Sequence, residues 1–399
     1  MMSPQLGGTL SEVPPAWNPL PFRQFILKIT SRCDLACDYC YMFEMADASW
    51  RDQPKRMSAE TVAMAAQRIS EHVSAHELPG AQVIFHGGEP LIAGPDYIGN
   101  IADIIRDSVA APVDFRVQTN GTLLTNAMID VLSRHNIGIG VSMDGGLEAN
   151  DRHRRYADGR GSYAIVANSL RRLRDQAPQL FAGILCTVDL RNDPVETYEA
   201  LEQFRPPVLD FLLPHGNWMV PPPGRNPLTD DTPYGVWLSQ VFDHWYAAKP
   251  PTSPVRMFTE IIHLMLGGDS AVETVGLAPA QLIVINTDGA LEQVDTLRSA
   301  YSRAADTGFN VHTHAFDAAI SHPAIVARQR RADGLSVTCK DCALHPVCGG
   351  GLYAHRYRAD TGFLNPSVYC PDLAYVIRHI HRRLSGEVAR LTAKNSGSS

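Results

Sequence analysis

The sequence has no excess of positive charge: 35 Lys and Arg stand against 42 Asp and Glu among 399 residues, for a formal charge of −7. A general nucleic-acid binder carries a basic excess or a long basic run, so that class is excluded. Nor does any stretch approach the roughly 18 uninterrupted apolar residues of a membrane span. The polar, Pro-containing start before Arg23 also lacks the apolar stretch of a secretion signal. At 45% hydrophobic and 19% charged, the composition is that of a soluble globular chain, and a cytoplasmic location is expected. Eight cysteines are too few for a disulfide scaffold at this length. All but Cys186 fall in two clusters, which points to metal or catalytic sites. No nucleophile elbow of the G-x-S-x-G type and no internal repeat is present.

Short β-branched or aromatic runs alternate with longer amphipathic stretches. Strands are predicted at Gln24–Ile29, Gln82–His86, Asp114–Gln118, Ile137–Met143, Ala182–Val188 and Leu209–Leu213. Helices are predicted at Ser58–His76, with Ser58 as N-cap, and at Tyr97–Ser108, Asn126–His135 and Tyr163–Asp175. This βα rhythm implies parallel strands with right-handed crossovers, closed as an open or partial barrel. Chemistry is then expected on loops at the C-terminal strand ends, where each notable motif falls. Pro221, Pro222 and Pro223 break the rhythm. Beyond them come helices at Tyr234–Ala247 and Met257–Leu266, a hairpin at Gln281–Val294 turning at Thr287–Asp288–Gly289, a loop-rich cysteine segment, and a helix from about Leu373 to Leu391. The expected organisation is an arm at 1–22, a barrel at 23–220, a helical bridge at 221–280, an auxiliary segment at 281–375, and a final helix and unstructured tail at 376–399.

Cys33, Cys37 and Cys40 directly follow the first strand. Three thiolates on one loop can wrap one metal centre; the alternative from spacing alone is a zinc knuckle or chance clustering. The C-x3-C-x2-C pattern, with the aromatic Tyr39 before the last Cys, resembles the radical S-adenosylmethionine (SAM) enzymes. Gly87-Gly88-Glu89-Pro90, at the end of the second strand, resembles the family segment that holds the methionyl amino group. There Glu89 would accept the ammonium in a charge-assisted hydrogen bond. A plain strand-ending turn at His86-Gly87-Gly88 is the other reading. Asn120 in Gln118-Thr-Asn-Gly121, and Ser142 and Asp144 in Ser142-Met-Asp-Gly145, resemble segments lining the SAM pocket, and Arg154 resembles an Arg that meets its carboxylate or ribose. The resemblance implies a [4Fe–4S] cluster on three cysteines and reductive cleavage of SAM to a hydrogen-abstracting radical.

Cys339, Cys342, Cys348 and Cys370 form the second cluster. Spacing alone allows a structural zinc site. The run resembles the SPASM extension of radical SAM peptide maturases, where such residues hold an auxiliary [4Fe–4S] cluster. Full SPASM segments carry further cysteines, but here Leu352 and Val294 stand at two of those positions, so two clusters in all are expected. After Val294, Asp295 remains at a position where the resemblance to sulfatase maturases implies a base; a solvated hairpin carboxylate is the other reading. The segments Gly289-x-x-Glu292-Gln-Val-Asp295 and Cys348-Gly-Gly-Gly-Leu-Tyr-Ala-His355 are most similar to maturases that build three-residue cyclophanes. That resemblance implies a carbon–carbon crosslink between an aromatic ring carbon and a side-chain β-carbon in a ribosomally made precursor peptide. It also implies an external electron donor of flavodoxin or ferredoxin type. His215 and Trp218, after the sixth strand, are candidate peptide contacts, with packing roles as the alternative. No separate N-terminal leader-recognition module is evident. Formylglycine or thioether formation is the chemical rival, and a zinc-stabilised, non-catalytic binding protein the rival of another class.

Overall fold

A computed structural model describes residues 18–248 and 253–396, with the side chains of 391–396 left out. Most of the expected arm and the last residues of the expected tail therefore lie outside the described residues. Six parallel strands follow the predicted order: β1 Gln24–Thr30, β2 Ala81–Gly87, β3 Val113–Thr119, β4 Gly138–Ser142, β5 Phe181–Thr187 and β6 Leu209–Leu212. Each deviates by only a residue or so from its expectation. Ser58 caps the helix Ala59–Ala75, its hydroxyl accepting from the Thr61 amide at 3.0 Å.

One feature of the sheet was not legible in the sequence. The hairpin forms as expected, with β7 Leu282–Ile285 and β8 Ala290–Glu292 turning at Gly289, but β7 lies parallel to β1 and hydrogen-bonded to it. With β9 at Asp306–Asn310, the sheet runs β6-β5-β4-β3-β2-β1-β7-β8-β9. Ladder hydrogen bonds to β7 and apolar contacts of Ile283 and Ile285 satisfy the β1 edge that a six-stranded barrel would leave open. The sheet is thus continuous across the expected boundary at 280/281.

Strand alternation decides what the barrel presents. Phe25, Leu27, Ile29, Val83, Phe85, Phe115, Val117, Ile139 and Val141 are all at or below 1% exposure and pack toward the helices. Lys28, His86, Gln118 and Ser142 point the other way, into the barrel. The final helix, Cys370–Ser396, begins three residues earlier than predicted and packs on Pro233–Ala247, where the Gly235 amide donates to Asp372 at 2.9 Å. No helix among the described residues is long and apolar enough to cross a membrane.

Candidate active site

The Cys33–Cys40 loop leaves β1 and is held from both sides. The Ala36 amide donates to the Arg155 carbonyl at 2.7 Å, and the Glu44 and Cys40 amides close tight turns onto the Cys40 and Cys37 carbonyls. Burial pushes the Cys37 thiol up to about 11, with Arg154 opposing and Cys40 adding to the rise. Cys33 and Cys40 are pushed up in the same way, chiefly by burial. Thiols crowded together out of water keep their protons, and a metal centre that replaces those protons turns their mutual repulsion into ligation. The donor set fits an iron–sulfur cluster on three cysteines.

Glu89 sits 1% exposed beneath this loop. Its carboxylate accepts from the Leu91 amide at 2.9 Å, the Thr119 hydroxyl at 2.7 Å and the Asn120 amide at 2.7 Å. Burial still pushes it up to about 7, against the pull of those donors. The preceding glycine is required by a close approach, since a Cβ on Gly88 would lie 2.3 Å from the Arg32 carbonyl oxygen. Asn120 reaches back to the loop, donating to Asp34 at 2.8 Å, while Gln118 donates to the Ser142 hydroxyl at 2.9 Å. Tyr39, Asp144 and Arg154, expected around SAM, form one hydrogen-bonded unit. The Tyr39 hydroxyl donates to Asp144 and accepts from Arg154 at 2.8 Å, and the Thr187 amide holds the other Asp144 oxygen at 2.9 Å. Arg154 Nε has no partner in the protein, and that orphaned buried donor is chemistry an anionic ligand group would satisfy.

Across the mouth lies an ion cluster that sequence reasoning reached only through Asp295. Lys28 on β1 pairs with Asp295 and, at 2.9 Å, with Glu292. Arg298 holds Glu292 at 2.6 Å and Asp47 at 2.7 Å, with its Nε 3.6 Å from Asp295. Burial alone would raise the Asp295 carboxyl, yet Lys28, His86 and Arg298 hold it below its ordinary value. One signal of this cluster was present in the sequence: a lysine inside the otherwise apolar strand Phe-Ile-Leu-Lys-Ile.

His215 faces Tyr41 of the cysteine loop at 4.6 Å between ring centroids and His355 at 5.7 Å. Burial pushes its imidazole down to about 4. Trp218, the other expected peptide contact, has spent its polar group: the indole N–H donates to the Pro366 carbonyl at 2.8 Å and Arg358 covers the ring. The structure places it as an anchor for the C-terminal segment. Cys186, expected in the core, is 1% exposed there.

The second cysteine group is also brought together. Cys339 and Cys342 share a turn, Cys348 ends the short helix His345–Cys348, and Cys370 opens the final helix. Burial pushes Cys348 up to about 12, and Cys370 and Cys339 add to the rise. Gly349, Gly350 and Gly351 follow at φ 60°, 78° and 69°, and Arg356 donates to all three of their carbonyls at 2.6–3.2 Å. Where a further cluster ligand was expected to be missing, Val294 is buried among Leu297, Ala300, Ala304, Ala305 and Ala354, beside Tyr353 stacked on Phe363. Hydrocarbon fills that region.

Residues 27–201 match the profile of the radical SAM superfamily. The chain has the radical SAM α/β fold and is an enzyme, with S-adenosylmethionine and [4Fe–4S] chemistry as its cofactors. It is 21% identical over 384 residues to the serine-type anaerobic sulfatase-maturating enzyme of Bacteroides thetaiotaomicron, covering 90% of this chain and 89% of that one. To the cysteine-type enzyme of Clostridium perfringens it is 22% identical, covering 91% and 97%. Its fold resembles AdoMet-bound anSMEcpe, at TM-score 0.76 and 20% identity over 92% and 99% of the two chains. Streptococcus suis SuiB bound to its precursor peptide SuiA is similar at TM-score 0.58 and 14% identity over 88% and 76%.

Proposed function

We propose that this enzyme installs a carbon–carbon crosslink, from an aromatic ring carbon to a side-chain β-carbon, in a ribosomally made precursor peptide. Cys33, Cys37 and Cys40 would hold the SAM-binding cluster, and Cys339, Cys342, Cys348 and Cys370 a single auxiliary one. Bound together, the first cluster and SAM supply one-electron reductive cleavage and hydrogen-atom abstraction from substrate. The chain's own residues do the rest. Glu89 receives the methionyl ammonium on a carboxylate already fixed by three donors, and Asn120, Ser142, Asp144 and Arg154 line the remainder of that pocket with Tyr39. Asp295 and His215 face the mouth where the peptide would enter.

The observation that carries the finer reading is Val294. A side chain that cannot ligate iron is packed into hydrocarbon directly before Asp295, which supports a maturase with one auxiliary cluster. That the curated relatives act in sulfatase maturation favours a second reading, formylglycine formation.

The experiment is anaerobic reconstitution, followed by assay of iron, labile sulfide and 5′-deoxyadenosine, then mass spectrometry on peptides from neighbouring short reading frames. About eight irons and eight sulfides per chain, deoxyadenosine release, and a peptide lighter by two hydrogens without an aldehyde are expected. An aldehyde-reactive product establishes formylglycine formation instead, and an aldehyde-free product that strictly needs a substrate Cys establishes a thioether. Zinc alone with no deoxyadenosine overturns the whole reading.

A further inference from the structure

His86 is an ionisable group at the mouth that the functional reading leaves without a task. It stands on the inner face of β2, paired across the ladder with Lys28 and immediately before Gly87. Its Nδ1 is buried with no hydrogen-bond partner and lies 3.8 Å from the Asp295 carboxylate, while about 21% of the side chain stays open. The groups facing it are Lys28 from β1 and Asp295 from the turn after β8, with Glu292, Arg298 and Asp47 behind them. Three carboxylates here oppose two cations, so the buried cluster carries one uncompensated negative charge while the imidazole is neutral. A proton arriving on His86 brings the cluster to neutrality. Asp295 itself is a poor acceptor, because Lys28 and Arg298 already stabilise its ionised form.

We propose that His86 is the proton acceptor of the crosslinking reaction and that Asp295 is the carboxylate that stabilises the resulting imidazolium. This rests on the function proposed above. Crosslinking removes two hydrogens from the peptide. The β-carbon C–H is broken as a hydrogen atom that ends in 5′-deoxyadenosine, and the new carbon–carbon bond forms at the ring. The ring C–H would then give up its proton to His86 and one electron to a one-electron oxidant, a role that an oxidised iron–sulfur cluster held by Cys339, Cys342, Cys348 and Cys370 would fill. Burial, with Lys28 acting in the same direction, keeps the imidazole neutral near pH 7, while Asp295 limits how far its proton affinity falls.

The test follows carbethoxylation of His86 by diethyl pyrocarbonate in the anaerobic holoenzyme, by peptide mapping across pH, in wild type and in Asp295→Asn. Neutral imidazole is the reactive form, so a midpoint below that of free imidazole is expected, moving to still lower pH in Asp295→Asn. A midpoint unmoved by that substitution, or a His86 inert at every pH while other histidines react, overturns the proposal. With the peptide found by the search above, His86→Gln should form less than a hundredth of the wild-type product per deoxyadenosine released. Wild-type product yield from His86→Gln overturns the proposal too. Absence of deoxyadenosine from wild type would instead sink the functional reading, whatever the His86 profile.

Discussion

If Glu89 receives the methionyl ammonium of SAM as proposed, burial and ligand binding oppose one another there. Its carboxyl, raised to about 7 by burial, must be ionised to meet an ammonium. Protonation therefore competes with SAM: the affinity should fall as pH drops through that value, approaching roughly tenfold per unit below it, as a single linked proton requires. Equilibrium dialysis with SAM between pH 5.5 and 7.5 checks this, and Glu89→Gln should bind weakly with the slope gone. Cys37 provides the second residue-scale prediction. It lies between the other two thiols on the loop, and Cys37→Ala should abolish reductive cleavage of SAM after anaerobic reconstitution, measured as deoxyadenosine release. Both residues were recognisable from motif spacing. His86 was not, because its meaning depends on Asp295, more than 200 residues away in the chain.

Among the elements, the Cys348–Gly351 turn has the narrowest tolerance. A Cβ on Gly349 would fall 1.6 Å from the Gly276 carbonyl oxygen, and the residue sits at φ 60°. Gly349→Ala should displace the turn that presents Cys348 and lower the iron content from about eight to about four per chain, with SAM cleavage retained. Iron analysis beside deoxyadenosine assay separates the two sites. The six barrel strands and four of its helices were legible almost to the residue, since their apolar periodicity and caps are local; the helices Leu147–His153 and Pro194–Glu202 were not predicted. The β9 strand and the two short helices Phe316–Ile320 and Pro323–Gln329 were not. Their apolar residues are too few to set a period, and they are held by packing of Phe316, Ile320 and Ile325 on the core.

For the whole molecule, the buried ion cluster joins distant parts of the chain: Lys28 from the first strand, Asp47 from the loop after the first cysteines, Glu292 from the hairpin, and Asp295 and Arg298 from the turn after it. Arg298 is 1% exposed, and Arg298→Met would leave buried carboxylates without their cation. A loss of about 3–5 kcal/mol is expected, read as a lower denaturant midpoint. Replacing a surface pair such as Arg160 with Asp158 should cost almost nothing by comparison, because both side chains are open to solvent.

The chain by itself determined the six-strand rhythm, the two cysteine groups and the Gly-Gly-Glu-Pro turn, because each depends on residues close in sequence whose spacing follows strand period or turn chemistry, or suits the metal ligation proposed for the cysteines. Tertiary structure alone decided that β7 closes on β1, that Trp218 anchors the C-terminal segment, and that Lys28, His86 and Asp295 meet at one mouth. Those outcomes are settled by which groups must share the same desolvated volume. Pairing an open strand edge and neutralising buried charge are requirements on space, and sequence neighbours cannot express them.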